Sequence, residues 1–318
     1  MPELRDDLVT GRKVLLAPGR AARPHTVAVP DPGPSAVTGC PFCPGNEHET
    51  PPECHRTGDG EPDTPGWRVR VVPNLYPIVG GPDAGPGARG AHEVAILDPD
   101  HSRDLGRLTD TGVVELFGVL RDRARVHAAA GLAHVQVLVN HGRAAGASIA
   151  HPHAQLLAIE FVPPAVREAL ERAAAARADV VAVDFEAAGP QGGRIVDTPE
   201  IWAWCPWAAG SPYETRIAAP DAGPRFEATP DAALAGVARA TRDVVAGIQR
   251  ALGDVAYNVV VHNGPTTSGD GFHWYVTVVP RVGTVAGFEM GTGVLVNTVT
   301  PADAAAHLRD ALQEGATP

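Results

Sequence analysis

The sequence contains no apolar run of the roughly 20 residues that a membrane-crossing helix needs. Its N-terminus, MPELRDDLVTGRKVLLAPGR, also lacks the apolar stretch of a signal peptide. Cysteine is scarce, with four residues at positions 40, 43, 54 and 205. We therefore expect a cytoplasmic protein that binds no membrane, in which the CxxC at residues 40–43 serves metal or redox chemistry before a disulfide.

Basic residues are outnumbered, because 26 Lys and Arg stand against 37 Asp and Glu and give a formal net charge of −11. A protein that binds nucleic acid without regard to sequence needs a basic surface to displace counterions from phosphates, so we exclude that class. Anionic small molecules remain possible ligands where arginines are concentrated. With 318 residues, 44% of them hydrophobic, the chain can bury a sizeable core in one large domain or in two fused similar ones.

Local patterns predict several regular elements. Short valine-rich segments predict strands at residues 13–17, 67–72, 94–97 and 135–139, whereas the Gly and Pro content of residues 78–91 predicts a loop. Amphipathic patterns predict helices over residues 110–130 and 230–252. For the second helix, Thr229 offers a cap, with Pro230 and Asp231 in the first turn.

The order of these elements recurs in the second part of the chain. Helix 110–130 is followed by the strand 135–139, the sequence NHG, a small-residue loop and the sequence HPH at 151–153. Helix 230–252 is followed by a strand at 258–261, the sequence HNG, a Gly/Ser/Thr loop and FHW at 272–274. Chance coincidence of two patterns is the alternative. We favour a duplicated α+β unit, with one half over residues 1–215 and the other over 216–318.

The loop that leads to HPH is the most informative segment. Its small residues at 142–148 let backbone N–H groups approach an anion closely. Pro152 fixes the backbone, so His151 and His153, at i and i+2, are predicted to project to one face of a strand. A neutral imidazole is a good nucleophile toward phosphorus, and Gln155 can hold a phosphate oxygen. The alternative is a pair of partly exposed strand histidines, and the adjoining loop favours the catalytic interpretation.

Cys40 and Cys43 have the spacing with which two thiolates bind Zn²⁺. A tetrahedral site needs two further ligands, and without a second CxxC histidines must supply them. The candidates are His48, His55, His92, His101, His151 and His153. A redox CxxC is the main alternative, but the flanking residues predict turns rather than the strand-to-helix junction where redox pairs are usually activated.

Two shorter patterns suggest contacts to a nucleotide. Arg20 and Arg23 follow the strand 13–17 and place two guanidiniums in one loop, a suitable clamp for phosphate. Their ordinary alternative is a solvated basic turn. Asn74 and Tyr76 pair an amide with an aromatic ring at i+2, able to hydrogen-bond and to stack on a base or sugar, although by themselves they would merely mark a strand end.

Seven segments, in this order, carry a resemblance to a known family: CPFCPGNEHETPPE, RVVPNLYP, LDPDHS, NHGRAAGASIAHPHAQ, CPWAAGSPYE, FHWYVTVVPR and AGFEMGTGVLVN. From about residue 13 to 310 the chain resembles the galactose-1-phosphate uridylyltransferase family of the histidine-triad superfamily, most specifically in HPHxQ. The resemblance implies an α+β fold made of a duplicated histidine-triad unit, mainly antiparallel sheets with helices packed on them. It also implies a homodimer that acts in galactose metabolism by two in-line displacements through a covalent nucleotidyl-histidine.

The resemblance assigns roles position by position. His153 matches the nucleophile, assisted by Gln155. The ligands implied for a structural Zn²⁺ are Cys40, Cys43, His101 and His151, with His92 as the reserve ligand. The residues implied to hold the donor's phosphates are Asn140, Gly146, Ser148 and Gln155. Those implied to contact the nucleoside are Asn74 and Tyr76. Arg20 and Arg23 match arginines that reach phosphate across the dimer, and Glu289 matches a residue that contacts the hexose.

One departure from the family concerns a second metal. Some members bind it with two histidines at i and i+2, where this chain has His273 followed by Trp274 and Tyr275, so a tyrosine replaces one ligand. His262 is retained, and Glu168 is only near the position of the acidic ligand. We expect the second metal site to be absent or weak.

Three functions are compatible with the sequence. The leading hypothesis is transfer of UMP between UDP-glucose and a hexose 1-phosphate. The alternative within the superfamily is a phosphorylase or hydrolase of another nucleoside diphosphate derivative, such as an ADP-sugar or a dinucleoside polyphosphate. A non-catalytic nucleotide-binding protein is a different class, and the intact His153 and Gln155 count against it.

Overall fold

The computed structural model describes residues 1–22, 39–189, 192–267 and 271–315, and a ten-stranded antiparallel sheet is its largest element. The strands of this sheet are β3 (His55–Gly58), β4 (Trp67–Pro73), β5 (Gly90–Ile96), β6 (His134–His141), β7 (His153–Ile159), β8 (Arg194–Asp197), β9 (Trp202–Trp204), β10 (Thr215–Ala218), β11 (Tyr257–His262) and β12 (Tyr275–Pro280). A smaller sheet joins β1 (Glu3–Asp6), β2 (Lys13–Leu16) and β13 (Leu295–Asn297).

Six α-helices occur in the described ranges: α1 (Asp110–Ala129), α2 (Pro164–Ala176), α3 (Val180–Ala188), α4 (Asp231–Leu252), α5 (Gly287–Thr292) and α6 (Pro301–Gly315). The helices α1 and α4 contact each other and the large sheet, and α6 packs on α4. Of the helices in these ranges, none is both long enough and apolar enough to span a membrane.

The order of the strands repeats on both sides of the sheet. From the central pair β6 and β11, the sheet continues outward as β7, β5, β4 and β3 on one side and as β12, β10, β9 and β8 on the other. In each unit of five strands, a helix, α1 or α4, connects the third strand to the fourth. The predicted α+β class, with helices packed on an antiparallel sheet, is confirmed.

The division of the chain at residue 215 stays a prediction. Residues 216–318 contain neither β8 nor β9, although these strands complete the second five-strand unit. We propose that the second unit begins earlier, between the end of β7 at Ile159 and the start of β8 at Arg194.

The two faces of the large sheet carry different side chains: one packs in the apolar core, and the other carries His153. Toward α1 and α4, side chains such as Leu116, Leu156, Val259 and Ile248 are at most 3% exposed and belong to one core. Burial of each such side chain contributes about 1.5–3 kcal/mol. Because side chains alternate along a strand, His153 and Gln155 point to the opposite face, here called the site face.

Several local predictions need correction. The predicted loop 78–91 ends at residue 89, because β5 begins at Gly90. Pro230, not Thr229, occupies the cap position of α4 and makes no side-chain capping bond. The Thr229 hydroxyl instead donates to Arg225 O at 3.2 Å. The histidine-bearing strands are shorter than predicted, since β7 begins at His153 and β12 at Tyr275.

Candidate functional site

Two cysteines and two histidines converge beside the first half of the sheet. The ligand atoms of Cys40, Cys43, His101 and His151 all lie within 4.8 Å of one another. Cys43 Sγ is 3.4 Å from His101 Nδ1 and 3.6 Å from His151 Nδ1, and Cys40 Sγ is 3.8 Å from His151 Nδ1. Ligands of a tetrahedral Zn²⁺ at normal bond lengths are separated by about 3.6 Å between sulfur and nitrogen. The four residues therefore fit a zinc ion in both chemistry and spacing.

The turn that carries the cysteines is fixed by its own hydrogen bonds. Cys43 N–H donates to Cys40 O at 3.2 Å, and the Asn46 side chain donates to the same carbonyl at 2.8 Å. The buried Glu47 carboxylate accepts the indole N–H of Trp67 at 2.9 Å and so ties the turn to β4. A CxxC in such a turn, facing two imidazoles, favours metal binding over the redox alternative.

The Cys43 thiol needs a neighbouring cation in order to ionise. Burial and the neighbouring Cys40 raise the pKa of the Cys43 thiol to about 11. Both cysteines are free thiols. Since the cluster contains no cationic side chain, a bound metal ion would supply the positive charge that thiolates need.

His151 connects the cluster to the first residue of β7. Its Nε2–H donates to Asp98 O at 2.8 Å, which leaves Nδ1 as the nitrogen that faces the thiols. Its backbone carbonyl accepts Nδ1–H of His153 at 2.9 Å. The His153 imidazole is 5% exposed and lies edge-on to Phe42, with ring centroids 5.3 Å apart. With Nδ1 donating, the lone pair of His153 is on Nε2, and burial lowers the pKa of this imidazole.

The side chain of Gln155 is held by a residue whose role the sequence did not reveal. His92 Nδ1 receives the N–H of Ile78 at 3.4 Å, so the proton of His92 is on Nε2. This Nε2–H donates to Gln155 Oε1 at 2.9 Å. The side-chain nitrogen of Asn74, 3.1 Å from Nε2, is itself a donor and makes no hydrogen bond to His92 in this tautomer. The amide NH₂ of Gln155 consequently remains available as a donor to a ligand.

His92, the reserve zinc ligand, lies outside the cluster of four ligands. Among the histidine candidates, His101 and His151 join the cluster; those that do not are His48, His55, His92 and His153. No local signal separated His92 from the ligands, because its contact with Gln155 follows from the register of β5 against β7.

Three N–H groups of the loop after β6, those of Ala145, Gly146 and Ala147, bond to carbonyls within the loop. Gly146 N–H donates to Arg143 O at 3.0 Å, and Ala147 N–H donates to Gly142 O at 3.2 Å. Positive φ angles of 77° and 92° at Gly142 and Gly146 explain the glycines. Ser148 is exposed, and its N–H and hydroxyl have no partner in the described parts of the chain. The predicted anion cradle is therefore narrowed to Ser148 and the side chains around it.

Of the other predicted binding residues, Asn74 lies beside His92, whereas Tyr76, Arg20 and Glu289 make different contacts. Tyr76 is 83% exposed, and its N–H donates to Asn74 Oδ1 at 2.8 Å. Arg20 lies in an exposed 3-10 turn, and Glu289 in α5 accepts Ala286 N–H at 3.0 Å. In the described ranges, no hydrogen bond or ion pair joins Arg20 or Glu289 to His153 or its neighbours. Arg23 lies outside the described residues.

The second half of the sheet places histidines in other contacts. His262 stacks on Tyr275, with ring centroids 4.4 Å apart, and His273 Nδ1 lies 2.5 Å from the Asp179 carboxylate. Glu168 is exposed on α2. Among the described residues, the first-half cluster is the one group of three or more potential metal ligands.

A buried arginine stands at the centre of the second half's site face. Arg216 is 2% exposed and pairs with Asp7 and, at 2.8 Å, with Asp184. Glu214 lies 3.8 Å from the same guanidinium. The indole N–H of Trp204 donates to Asp184 at 2.8 Å. Burial opposes the charge on Arg216, but the surrounding carboxylates outweigh it and raise the pKa of the guanidinium further.

Comparison with known proteins agrees with this architecture. Residues 85–163 match the model of the N-terminal domain of galactose-1-phosphate uridyl transferase. The chain is 30% identical over 331 residues to an ADP-glucose phosphorylase of Arabidopsis thaliana, an alignment that covers 97% of this chain and 93% of that protein. A galactose-1-phosphate uridylyltransferase of Haemophilus influenzae is 34% identical over 141 residues, which are 41% of this chain and 38% of that protein.

The similarity extends to three dimensions. The crystal structure of an ADP-glucose phosphorylase from Arabidopsis thaliana with bound ADP-glucose matches with a TM-score of 0.85 at 30% identity, covering 98% of each chain. The sequence match thus spans nearly the whole of both chains and is accompanied by the same fold. The chain belongs to the galactose-1-phosphate uridylyltransferase family and is an enzyme of its nucleotidyltransferase and phosphorylase type.

Proposed function

We propose that this enzyme transfers a nucleoside monophosphate from a nucleoside diphosphate sugar to a phosphate acceptor through a covalent intermediate on His153. The observation that carries the proposal is the hydrogen bond from His153 Nδ1–H to His151 O. It holds the imidazole in the tautomer whose Nε2 lone pair is free to attack phosphorus.

The reaction consists of two displacements at one phosphorus atom. First, His153 Nε2 attacks the nucleotidyl phosphorus; the P–N bond forms while the bond to the bridging oxygen breaks, and a sugar 1-phosphate leaves with the electron pair. An oxygen of the acceptor phosphate then attacks the same phosphorus, and the electron pair of the P–N bond returns to Nε2. The enzyme is regenerated, so ping-pong kinetics follow.

The amide of Gln155 is the first candidate for stabilising charge on the transferred phosphate. His92 occupies the Gln155 carbonyl oxygen and leaves its NH₂ as a donor. A donor that is already oriented before the reaction stabilises developing charge without reorganising. Further phosphate contacts are proposed for Asn140 and Ser148, and Gly146, which has no side chain, lets a phosphate approach the loop closely.

The remaining assignments complete the substrate site. Asn74 and Tyr76 contact the nucleoside, and Glu289 contacts the sugar. Arg20 and Arg23 reach phosphate from the second subunit of a homodimer. The exposure of Arg20 and Tyr76 in the single chain supports a site that a neighbouring subunit covers. Zn²⁺ held by the cysteine and histidine cluster has a structural role.

The donor we favour is ADP-glucose, with inorganic phosphate as acceptor. The sequence alone favoured UDP-glucose and a hexose 1-phosphate, but an ADP-glucose phosphorylase is 30% identical to this chain over nearly its full length, whereas a uridylyltransferase of similar coverage is 24% identical. UDP-glucose with a hexose 1-phosphate is the second candidate, supported by the 34% identity to a uridylyltransferase over 141 residues.

Intact-mass measurement after incubation with each donor separately tests the proposal. We expect the protein to gain the mass of one AMP from ADP-glucose, or of one UMP from UDP-glucose, and the gain to vanish in His153→Gly. Peptide mapping should place the adduct on His153. Turnover without an adduct, or an adduct on His151, would contradict the mechanism.

A further inference from the structure

The second half of the chain contributes Arg281 to the site face, an arginine with no acidic partner in the described ranges. Arg281 follows Pro280 at the end of β12, where its N–H donates to Ala256 O at 2.7 Å, and the residue is exposed. We propose that the Arg281 guanidinium binds the phosphate that attacks, or leaves from, the nucleotidyl phosphorus. The inference rests on the proposed function, because it assigns recognition of the second substrate in that reaction.

A chain of hydrogen bonds fixes this guanidinium beside the loop that connects β6 to β7. Arg281 Nε–H donates to Asn258 Oδ1 at 2.5 Å. The buried Asn258 amide in turn donates to Asn140 Oδ1 at 2.7 Å and to Ala145 O at 2.9 Å. Asn258 therefore joins the arginine to β6 and to the loop between β6 and β7. A guanidinium held through Nε keeps its two terminal nitrogens as donors.

The sheet register places this arginine on the same side of the molecule as His153. Val139 lies opposite Ala154, so the next pair across β6 and β7 is Asn140 and His153. Asn140 lies opposite Asn258 on β11. Two strand spacings therefore separate His153 from Asn258, a distance of about 10 Å. The phosphate beyond the transferred nucleotidyl group can bridge that gap.

The partners of Arg281 differ from those of the buried Arg216 and the half-buried Arg123. Arg216 and Arg123 are each paired with carboxylates at the ends of their guanidiniums. In the described ranges, the terminal nitrogens of Arg281 contact no acidic side chain. The planar fork of a guanidinium matches two oxygens of a phosphate, and such charge-assisted bonds are roughly twice as strong as neutral ones. The ligand class is therefore a phosphomonoester or inorganic phosphate.

The test separates the two displacements in the full chain. Wild type, Arg281→Gln and Arg281→Lys are loaded from a nucleoside 5′-phosphorimidazolide, whose leaving group carries no phosphate. The loaded proteins are mixed with inorganic phosphate in one arm and glucose 1-phosphate in the other, and the arm that discharges the wild type identifies the acceptor. Arg167→Gln, an exposed arginine on α2, removes the same charge as a control.

We expect Arg281→Gln to load and to hydrolyse at the wild-type rate. At low acceptor concentration its discharge to phosphate should slow about tenfold to hundredfold, the range for losing a charge-assisted hydrogen bond. Arg281→Lys should recover part of the rate, and Arg167→Gln should match the wild type. Unchanged discharge in Arg281→Gln overturns the inference. So does an equal slowing of loading, hydrolysis and discharge, which indicates a structural role.

If no protein, the wild type included, forms an adduct, the proposed function fails and a binding measurement decides the inference. Calorimetric titration with inorganic phosphate and with glucose 1-phosphate then compares wild type with Arg281→Gln. Weaker binding to the variant supports the phosphate site, and equal affinity overturns it.

Discussion

The two halves of the large sheet share one strand order but differ in what lies on the site face. In the first half, thiols and imidazoles converge around Cys43, and His153 begins β7. In the second half, Arg216 pairs with buried carboxylates, and Tyr275 begins β12. The same framework thus supports a nucleophile with a candidate metal site on one side and an ion cluster on the other.

The two clusters balance charge in different ways. Arg216 brings a cation that is covalently part of the chain, and Asp7 and Asp184 neutralise it. The first-half cluster has sulfur and nitrogen electron-pair donors without a cationic side chain, so a bound metal ion would supply the positive charge that its thiols need in order to ionise. The comparison teaches that the half without an internal cation is the half prepared to bind a metal.

The largest effect is expected at the residue that begins β7. His153→Gly should reduce nucleotidyl transfer about a thousandfold or more while zinc content and thermal stability persist, because the imidazole forms the covalent bond. A nucleoside phosphorimidazolide should restore part of the activity. Tyr275→Phe, the matched change at the start of β12, should leave transfer close to wild type. Steady-state kinetics check both variants. If Tyr275→Phe loses most of the transfer activity and His153→Gly keeps it, the reacting residue lies in the second half and not in the first.

Removal of a thiolate should affect stability before chemistry. We expect Cys43→Ser to lose its bound zinc and on the order of 5 kcal/mol of unfolding free energy, since metal binding contributes directly to folding. Cys205→Ser, a buried cysteine remote from the cluster ligands in sequence, should keep zinc and lose about 1–2 kcal/mol. Elemental analysis and denaturant unfolding distinguish the two variants. Zinc retained by Cys43→Ser would refute the ligand set.

Breaking the ion cluster of the second half should destabilise the protein independently of metal. Arg216→Met leaves Asp7 and Asp184 without their cation and should cost about 3–5 kcal/mol of unfolding free energy. The loss should be the same with and without a chelator. Arg68→Met, which breaks an exposed pair with Glu115, should cost at most about 1 kcal/mol. A chelator-dependent loss in Arg216→Met would show that the two clusters are coupled.

The smallest effect concerns acid stability of the first half. Burial opposes ionisation of Glu93, but hydrogen bonds from His127 and Arg123 outweigh it and lower the pKa of this carboxyl from 4.5 to about 2. A lowered pKa stabilises the folded state above the unfolded value, so this contribution is present above about pH 4.5 and is lost as the pH falls toward 2. Up to about 3 kcal/mol is at stake.

Unfolding measured between pH 2 and 5 checks this contribution. Glu93→Gln should flatten the pH dependence of the unfolding free energy in that window. Glu214→Gln in the second half should not, because burial raises the pKa of Glu214 instead. An unchanged pH profile in Glu93→Gln would contradict the assignment.

The helices and the longer strands could be predicted because their signals are local. The helix expected at residues 110–130 is α1, and the strand expected at 67–72 is β4. The sequence did not indicate β8, β9 and β10, which have three or four residues each. Such short strands are stabilised by pairing with neighbours and by packing, not by their own pattern.

The metal cluster was predictable in part. The CxxC spacing identified two ligands, and the choice among six histidines came from the resemblance to the family, not from spacing. The structure brings His101 and His151 to the cysteines and places His92 against Gln155 instead. The ligands lie in separate segments that the pairing of the strands brings together. Their spacing along the chain therefore does not predict which of them are close in space.

By itself, the sequence determined the local features of this protein: the HPH segment with its proline, the turn around CxxC, and the two amphipathic helices. The tertiary structure alone decided that His92 orients Gln155 and that Asn258 links Arg281 to Asn140. The physical reason is that these contacts cross strands whose residues are distant in sequence. Their partners follow from the register of the sheet, which long-range pairing fixes and local patterns do not.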